Sequence, residues 1–264
     1  MTDTPVGDVP LLRLRGVAKN FGPVQALSGV DLDIPVGQVT ALVGDNGAGK
    51  STLIKSISGI WSIDGGEMQW KGKTVHLHTP RDAAHLGIAT VYQDLALCDN
   101  LDIVQNMFLG RERLSGIVLD ESSMEQSAAE TLKSLSVRTV TSVRQRVASL
   151  SGGQRQTVAI AKAVLWNSKV VILDEPTAAL GVAQTAQVLA LVRRLADRGL
   201  GVVLISHNMT DVLEVADSIA VLYLGQLAAQ VDRSDVNQQQ LVELITTGRL
   251  DGADVSAKKE ATTS

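Results

Sequence analysis

Short apolar runs recur along the chain and alternate with segments of helical periodicity. Several of these runs are rich in β-branched residues and have no polar alternation, at 39–43, 88–92, 170–173, 202–205 and 218–223. Strands buried on both faces have this pattern, which is typical of a parallel sheet covered by helices. Helical spacing of i, i+3, i+4 and i+7 is clearest at Val188, Leu191, Val192 and Leu195. The pattern therefore predicts an α/β core.

The N-terminal part of the chain has a different pattern. Segments 11–17, 27–34 and 67–77 are typical of antiparallel strands, and Lys71 and Gly72 supply the turn of a hairpin. We therefore expect an antiparallel β subdomain in the N-terminal part of the chain.

A second departure lies between residues 94 and 165, where the strand pattern disappears and helices dominate, for example at 122–135 and 154–165. We expect a helical subdomain, at about 94–165, inserted into the α/β core of one domain that covers 1–250. Residues 251–264 have little apolar surface to bury, so we expect a disordered tail.

Composition excludes several classes of protein. The formal net charge is −4, with 24 basic and 28 acidic residues mixed along the chain, which argues against a nucleic-acid-binding surface. The single cysteine, Cys98, excludes an intramolecular disulfide and fits a reducing compartment. No signal peptide is expected, and no apolar run approaches the roughly 20 residues of a spanning helix. Any attachment to a membrane is therefore expected to depend on a partner chain.

A phosphate-binding motif follows the run at 39–43. The pattern G-x-x-x-x-G-K-[ST] is matched by Gly44, Asp45, Asn46, Gly47, Ala48, Gly49, Lys50 and Ser51, and Thr52 continues into a predicted helix. The glycines let backbone N–H groups surround phosphates, while Lys50 supplies a positive charge and Ser51 an oxygen for Mg²⁺. The alternative is a glycine-rich turn, but a chance match is on the order of one in a hundred for this length. The motif predicts a nucleoside triphosphate site.

Two adjacent acids, Asp174 and Glu175, end the apolar run at 170–173 and precede Pro176. Because ligands of parallel sheets bind at the carboxyl ends of the strands, Asp174 is placed to reach Mg²⁺. Glu175 can orient and deprotonate the attacking water. Two solvated loop acids are the alternative interpretation, which the nearby phosphate motif makes less favourable.

A third motif, Leu150 followed by Ser151, Gly152, Gly153 and Gln154, precedes a predicted helix. Ser151 is a good N-cap, and the glycines leave N–H groups uncovered at a helix start, where anions bind. An ordinary capped helix is the alternative. A second phosphate-binding terminus makes sense if it closes over a nucleotide held by a different chain.

Together these residues resemble the nucleotide-binding domains of ABC transporters, from about residue 11 to residue 248. The match equates 44–51 with Walker A, 170–175 with Walker B and 150–154 with the signature. The resemblance implies a P-loop NTPase fold and three further roles. Gln93 contacts Mg²⁺ and the membrane subunits, His207 holds the γ-phosphate, and Phe21 stacks on adenine.

The resemblance also implies how the chain works. Two copies, or a pair of related subunits, form a head-to-tail dimer, and each ATP lies between Walker A of one subunit and the signature of the other. Glu175, His207 and Lys50 are then catalytic, and Ser51, Gln93 and Asp174 hold Mg²⁺. One departure concerns the D-loop, where Ala178, Ala179, Leu180 and Gly181 stand in place of Ser-Ala-Leu-Asp.

Within this family the chain is most similar to importers of simple sugars of the ribose, xylose or fructose type. The similarity is carried by the segments 79–83, 87–94, 106–112, 205–209 and 246–248. It implies import of a monosaccharide through permease subunits at the cytoplasmic face of the membrane, with a sugar-binding protein as a further partner. The alternatives are a soluble ABC-type ATPase that acts apart from transport and a nucleotide-dependent binding module with little turnover.

Overall fold

The computed structural model of the chain describes residues 9–137 and 140–249, so the predicted tail at 251–264 lies outside the described residues. Strands and helices alternate through most of this length. In chain order they are β1 (Leu12–Phe21), β2 (Val24–Ile34), β3 (Val39–Gly44), α1 (Lys50–Ile57), β4 (Gly65–Trp70), β5 (Lys73–Val75), α2 (Pro80–Leu86), β6 (Ile88–Val91), α3 (Ile103–Phe108), β7 (Leu114–Ser115), β8 (Val118–Leu119), α4 (Glu121–Ser134), α5 (Gly152–Leu165), β9 (Val170–Asp174), α6 (Val182–Asp197), β10 (Gly201–Ile205), α7 (Met209–Val215), β11 (Ser218–Tyr223), β12 (Gln226–Asp232) and α8 (Gln238–Thr247).

The central sheet has the order β12-β11-β3-β10-β9-β6. The pairs from β11 to β6 are parallel, and β12 pairs antiparallel with β11. This arrangement confirms the predicted parallel core. The sequence pattern missed β12, because this edge strand is only partly buried and lacks the continuous apolar run of the inner strands.

Strand β9 shows why the inner strands are apolar at successive positions. Val170 and Ile172 face a core shared with α1 and the N-terminal strands, whereas Val171 and Leu173 face a core shared with α5 and α6. All four side chains are fully buried. The sheet is therefore the middle layer between two hydrophobic cores.

The N-terminal strands form a separate antiparallel sheet with the order β2-β1-β4-β5, which confirms the predicted β subdomain. The segment between β6 and β9 is mainly helical, with α3, α4 and α5 packed together. It also contains a hairpin that the pattern did not predict, because β7 and β8 have only two residues each. No helix among the described residues is long and apolar enough to span a membrane.

Candidate functional site

The carboxyl ends of four neighbouring strands carry most of the residues singled out by the sequence. In the order of the sheet, β3 leads into the loop at 44–51, β10 into His207, β9 into Asp174 and Glu175, and β6 into Gln93. Because parallel strands end at one edge, this order brings the phosphate motif, the acidic pair and the histidine to the same side of the sheet. Gln93 is exposed at the end of this row.

The loop at 44–51 needs its glycines for steric reasons. Gly44 has a φ of 152°, and a Cβ there would lie 2.3 Å from the carbonyl oxygen of Leu222. Gly49 has a φ of 103° and caps α1, where a Cβ would lie 2.8 Å from the carbonyl oxygen of Ala26. The loop therefore packs its backbone against β2 and β11, and its outer residues, 45–47, are exposed.

Lys50 turns back over this loop. Its Nζ donates hydrogen bonds to the carbonyl oxygens of Gly44 at 2.7 Å and Asp45 at 3.0 Å. Burial lowers the pKa of Lys50 from its ordinary value, while the carboxylates of Glu175, Asp45 and Asp174 oppose this shift. The ammonium group thus lies in a partly desolvated place surrounded by acids, where it can exchange its carbonyl partners for phosphate oxygens.

Asp174 differs from Lys50 in the direction in which burial shifts its pKa. Burial raises the pKa of this carboxyl group and the neighbouring Glu175 carboxylate adds to the shift, whereas Lys50 and Lys55 counteract it. The nearby positive charge of the protein does not fully compensate the ionised carboxylate. An additional cation at this position would therefore be favourable.

Glu175 and His207 form the closest contact between two of the predicted catalytic residues. His207 Nδ1 lies 2.8 Å from Glu175 Oε2. The Glu175 side chain is mostly buried, at 15% exposed, whereas His207 is 77% exposed. Glu175 has a φ of 50°, in the left-handed region that non-glycine residues rarely adopt.

Phe21 is the last residue of β1 in the N-terminal sheet, and the residue is 41% exposed. Sequence reasoning missed its partner, Trp61, whose ring meets Phe21 edge to face with 4.7 Å between centroids. Lys55 of α1 places its Nζ 4.7 Å from the Trp61 ring centroid. The aromatic pair is thus connected to the helix that follows the phosphate loop. An aromatic residue shortly after this helix was the available signal.

The structure places the signature motif in the inserted helical segment. Ser151 caps α5 and receives a hydrogen bond from the backbone N–H of Gln154, whose side chain accepts one from the backbone N–H of Ser151. The glycines of the motif lie against α6 and the turn before it, since a Cβ at Gly153 would be 3.0 Å from Gln184 and one at Gly152 would be 3.1 Å from Leu180. The motif is therefore at a helix N-terminus, as predicted, and belongs to a different part of the chain from the row of strand ends.

Beside Gln93, between the central sheet and the inserted helices, lies a cavity of about 320 Å³. Its walls are mainly apolar, with Lys162, Arg111 and Asp94 as charged members. It is lined by residues of β6, α3 and α5 and by the loop that contains Gln93. The cavity is open to the surface and lies next to the edge of the site.

A family model described as ABC transporter matches residues 27–178. The chain belongs to the ABC transporter family. Two relatives of this ABC transporter protein match nearly its whole length. The xylose/arabinose import ATP-binding protein of Sulfolobus acidocaldarius is 45% identical over 249 residues, or 94% of this chain and 99% of that protein. The fructose import ATP-binding protein of Rhizobium meliloti is 46% identical over 244 residues, or 90% of this chain and 94% of that protein.

A solved structure agrees with this membership. The crystal structure of the ADP conformation of an ATP-binding cassette of an ABC transporter superposes with a TM-score of 0.76 and 26% identity. The match covers 90% of this ABC transporter chain and 95% of the solved one.

Proposed function

We propose that this chain binds and hydrolyses ATP to drive the import of a monosaccharide through an ABC transporter. The contact between Glu175 and His207, beside the phosphate loop and Asp174, is the observation that carries the catalytic part of the proposal. The sugar is supported by the two full-length relatives, which are import ATP-binding proteins for xylose or arabinose and for fructose. These relatives also favour transport over the alternative of a soluble ATPase.

The chemistry follows from the arrangement of charges. The backbone N–H groups of the loop and Lys50 hold the β- and γ-phosphates, after Lys50 releases the carbonyl oxygens of Gly44 and Asp45. Glu175 accepts a proton from the attacking water while His207, exposed at its side, contacts the γ-phosphate. Catalysis then consists mainly of positioning the water and stabilising the charge that develops on the phosphate.

The donor set fits Mg²⁺. This ion prefers oxygen ligands and is usually held by one or two carboxylates together with phosphates and water. Asp174, with its uncompensated negative charge, and the hydroxyl group of Ser51 at the start of α1 supply such oxygens, and Gln93 adds an amide oxygen from the next strand end. Bound there, the ion would neutralise negative charge on the phosphates. The described residues contain no group of three or more His, Cys, Asp or Glu side chains suited to a metal site, and a Mg²⁺–nucleotide site does not require one.

The partners are proposed from the position of two surfaces. Ser151 and Gly152 are exposed at the N-terminus of α5, so they can contact an ATP held by a second copy of the chain. The cavity beside Gln93 is a concave, mostly apolar surface next to the site, so a permease segment docked there would contact the loop that carries Gln93. We therefore propose a homodimer that is attached to permease subunits at the cytoplasmic face of the membrane. A sugar-binding protein is the further partner, and it supplies the sugar.

The catalytic assignment is tested with Glu175→Gln. This substitution keeps the shape of the side chain but removes the base, so we expect ATP binding to persist, hydrolysis to fall by about 100-fold or more and the ATP-bound dimer to accumulate. Glu214→Gln, at an exposed position of α7, is the matched control and should behave like the native chain. Hydrolysis of ATP by the Glu175→Gln chain at the native rate would refute the assignment.

The transport assignment is tested separately. The tagged chain is purified from membranes, and the sample is examined for a multi-spanning subunit. Purified complexes are then assayed for ATP hydrolysis with and without xylose, fructose or ribose and the sugar-binding protein. Stimulation by one of these sugars is expected. A chain that hydrolyses ATP but never copurifies with a multi-spanning subunit would support the soluble ATPase instead.

A further inference from the structure

A buried carboxylate connects the two loops that carry Glu175 and His207. Asp211, in the first turn of α7, is only 5% exposed. Its Oδ2 accepts a hydrogen bond from Thr177 Oγ1 at 2.6 Å, and its Oδ1 accepts one from Asn208 Nδ2 at 2.9 Å. Thr177 belongs to the loop that begins with Glu175, and Asn208 directly follows His207. The sequence motifs contain no signal for this connection.

The loop after β9 needs such a connection because its backbone is strained. Both Glu175, with a φ of 50°, and Ala179, with a φ of 59°, lie in the left-handed region. A strained backbone persists only where its surroundings hold it in place. The N–H of Glu175 is bound to the carbonyl oxygen of Ile205 at 3.0 Å, which fixes one side of the residue. The short bond from Thr177 to Asp211 fixes the loop on the other side.

The loop after β10 is held from the same point. Asn208 caps α7 through a hydrogen bond from the N–H of Thr210 to its Oδ1 at 3.0 Å, while its Nδ2 donates to Asp211. The N–H of Asn208 is bound to Ser206 Oγ at 3.0 Å. His207 therefore lies between two anchored neighbours. Its imidazole, although exposed, starts from a backbone position that is fixed relative to Glu175.

We propose that Asp211 is a positioning residue for ATP hydrolysis. Through Thr177 and Asn208 it fixes the loop that carries Glu175 relative to the loop that carries His207. The inference rests on the proposed roles of Glu175 and His207. Asp211 itself is buried and contacts neither of these two side chains in the hydrogen bonds described, so it acts through its neighbours. The competing role is purely structural, in which Asp211 only stabilises the first turn of α7.

The experiment compares Thr177→Val and Asp211→Asn with the native full-length chain, in steady-state hydrolysis of Mg²⁺–ATP. Thr177→Val removes the hydroxyl group at nearly constant volume and leaves the bond between Asp211 and Asn208 intact. We expect kcat to fall about tenfold in both variants, with the KM for ATP changed by less than about twofold, because small displacements of reacting groups affect rate more than binding. Thr177→Ser, which keeps the hydroxyl group, should retain a kcat within about twofold of native.

A matched control separates positioning from helix stability. Asn237 caps α8 through a hydrogen bond from the N–H of Gln240 to its Oδ1 at 2.9 Å, far along the chain from the site residues. Asn237→Ala should lower the melting temperature and leave kcat unchanged. If Thr177→Val likewise lowers the melting temperature and leaves kcat native, or changes only the KM, the proposal is wrong. Thr177→Val decides the matter alone if Asp211→Asn does not fold.

The same assay distinguishes failure of this inference from failure of the proposed function. If Glu175→Gln is inactive while Thr177→Val has the native kcat, only the positioning role of Asp211 is rejected. If Glu175→Gln retains the native rate, the catalytic assignment is rejected, and the inference that rests on it is rejected with it.

Discussion

The exposed area of Phe21 allows an estimate of the free energy that stacking of the adenine ring on this side chain contributes to ATP binding. A phenylalanine side chain presents roughly 200 Å² when free, and 41% of Phe21 remains exposed beside Trp61. About 80 Å² is thus open to an adenine ring. At about 25 cal/mol per Å², covering this area contributes about 2 kcal/mol, which lies within the roughly 1–3 kcal/mol measured for stacking of a base on an aromatic side chain.

Phe21→Ala should therefore weaken ATP binding about 30-fold, since about 1.4 kcal/mol corresponds to a factor of ten in Kd. Trp61→Ala removes the ring that supports Phe21, together with its contact to Lys55, and should weaken ATP binding by about 0.5–1.5 kcal/mol, or up to about 12-fold. Isothermal titration with ATP in the absence of Mg²⁺ measures binding without turnover. Phe21→Tyr should bind as the native chain does.

The matched control is Val24→Ala, because Val24 pairs with Phe21 across the same hairpin and is 61% exposed. This variant should bind ATP with the native Kd. A Kd for Phe21→Ala within about twofold of native would refute the stacking role and leave the aromatic pair as a structural contact of the β subdomain.

Two further substitutions test the phosphate loop and the acidic pair. Because the pKa of Asp174 is raised in the fold, the folded state retains a proton that the unfolded state loses, and stability falls as pH rises from about 4 through the raised value. Asp174→Asn should therefore melt at a higher temperature than the native chain at pH 7 without nucleotide, with the difference shrinking toward pH 4. A lower melting temperature at pH 7 would contradict this reasoning. Gly44→Ala should lose ATP binding and stability, since its Cβ would lie 2.3 Å from the carbonyl oxygen of Leu222, whereas Gly65→Ala, with 3.5 Å to the nearest atom, should remain native by thermal melting and ATP titration.

The parallel core could be predicted because its sequence signal is local. Residues 170–173 are apolar on both faces, and the structure buries these side chains in two different cores. The short hairpin of β7 and β8 and the edge strand β12 escaped prediction. Two-residue strands are too short to show a period, and an edge strand is only partly buried, so the continuous apolar run is absent.

Part of the candidate site could likewise be predicted from the sequence, and part could not. The loop at 44–51 and the acids at 174 and 175 are contiguous motifs, so their chemistry is visible in the sequence. The contacts of Trp61 with Phe21 and of Asp211 with Thr177 join residues that are distant along the chain. Such contacts depend on how β1 meets the end of α1 and how α7 meets the loop after β9, and no local pattern encodes either arrangement. Only coordinates or co-varying positions would show them.

Helix α5 has a mechanical consequence that follows from its two ends. Its C-terminus is joined through residues 166–169 to β9, which pairs with β10 and β6 in the central sheet, while its N-terminus carries the exposed Ser151. Fourteen residues make a rod about 21 Å long, and its C-terminal half, at Ala159, Lys162 and Ala163, forms one wall of the cavity beside Gln93. The C-terminal end of the helix is thus held by the sheet, while at the other end Gly152 and Gly153 lie against α6 and the turn before it. Because the helix has this length, a tilt of only about 10° about its C-terminal end would move Ser151 by about 4 Å, which is more than the length of a hydrogen bond.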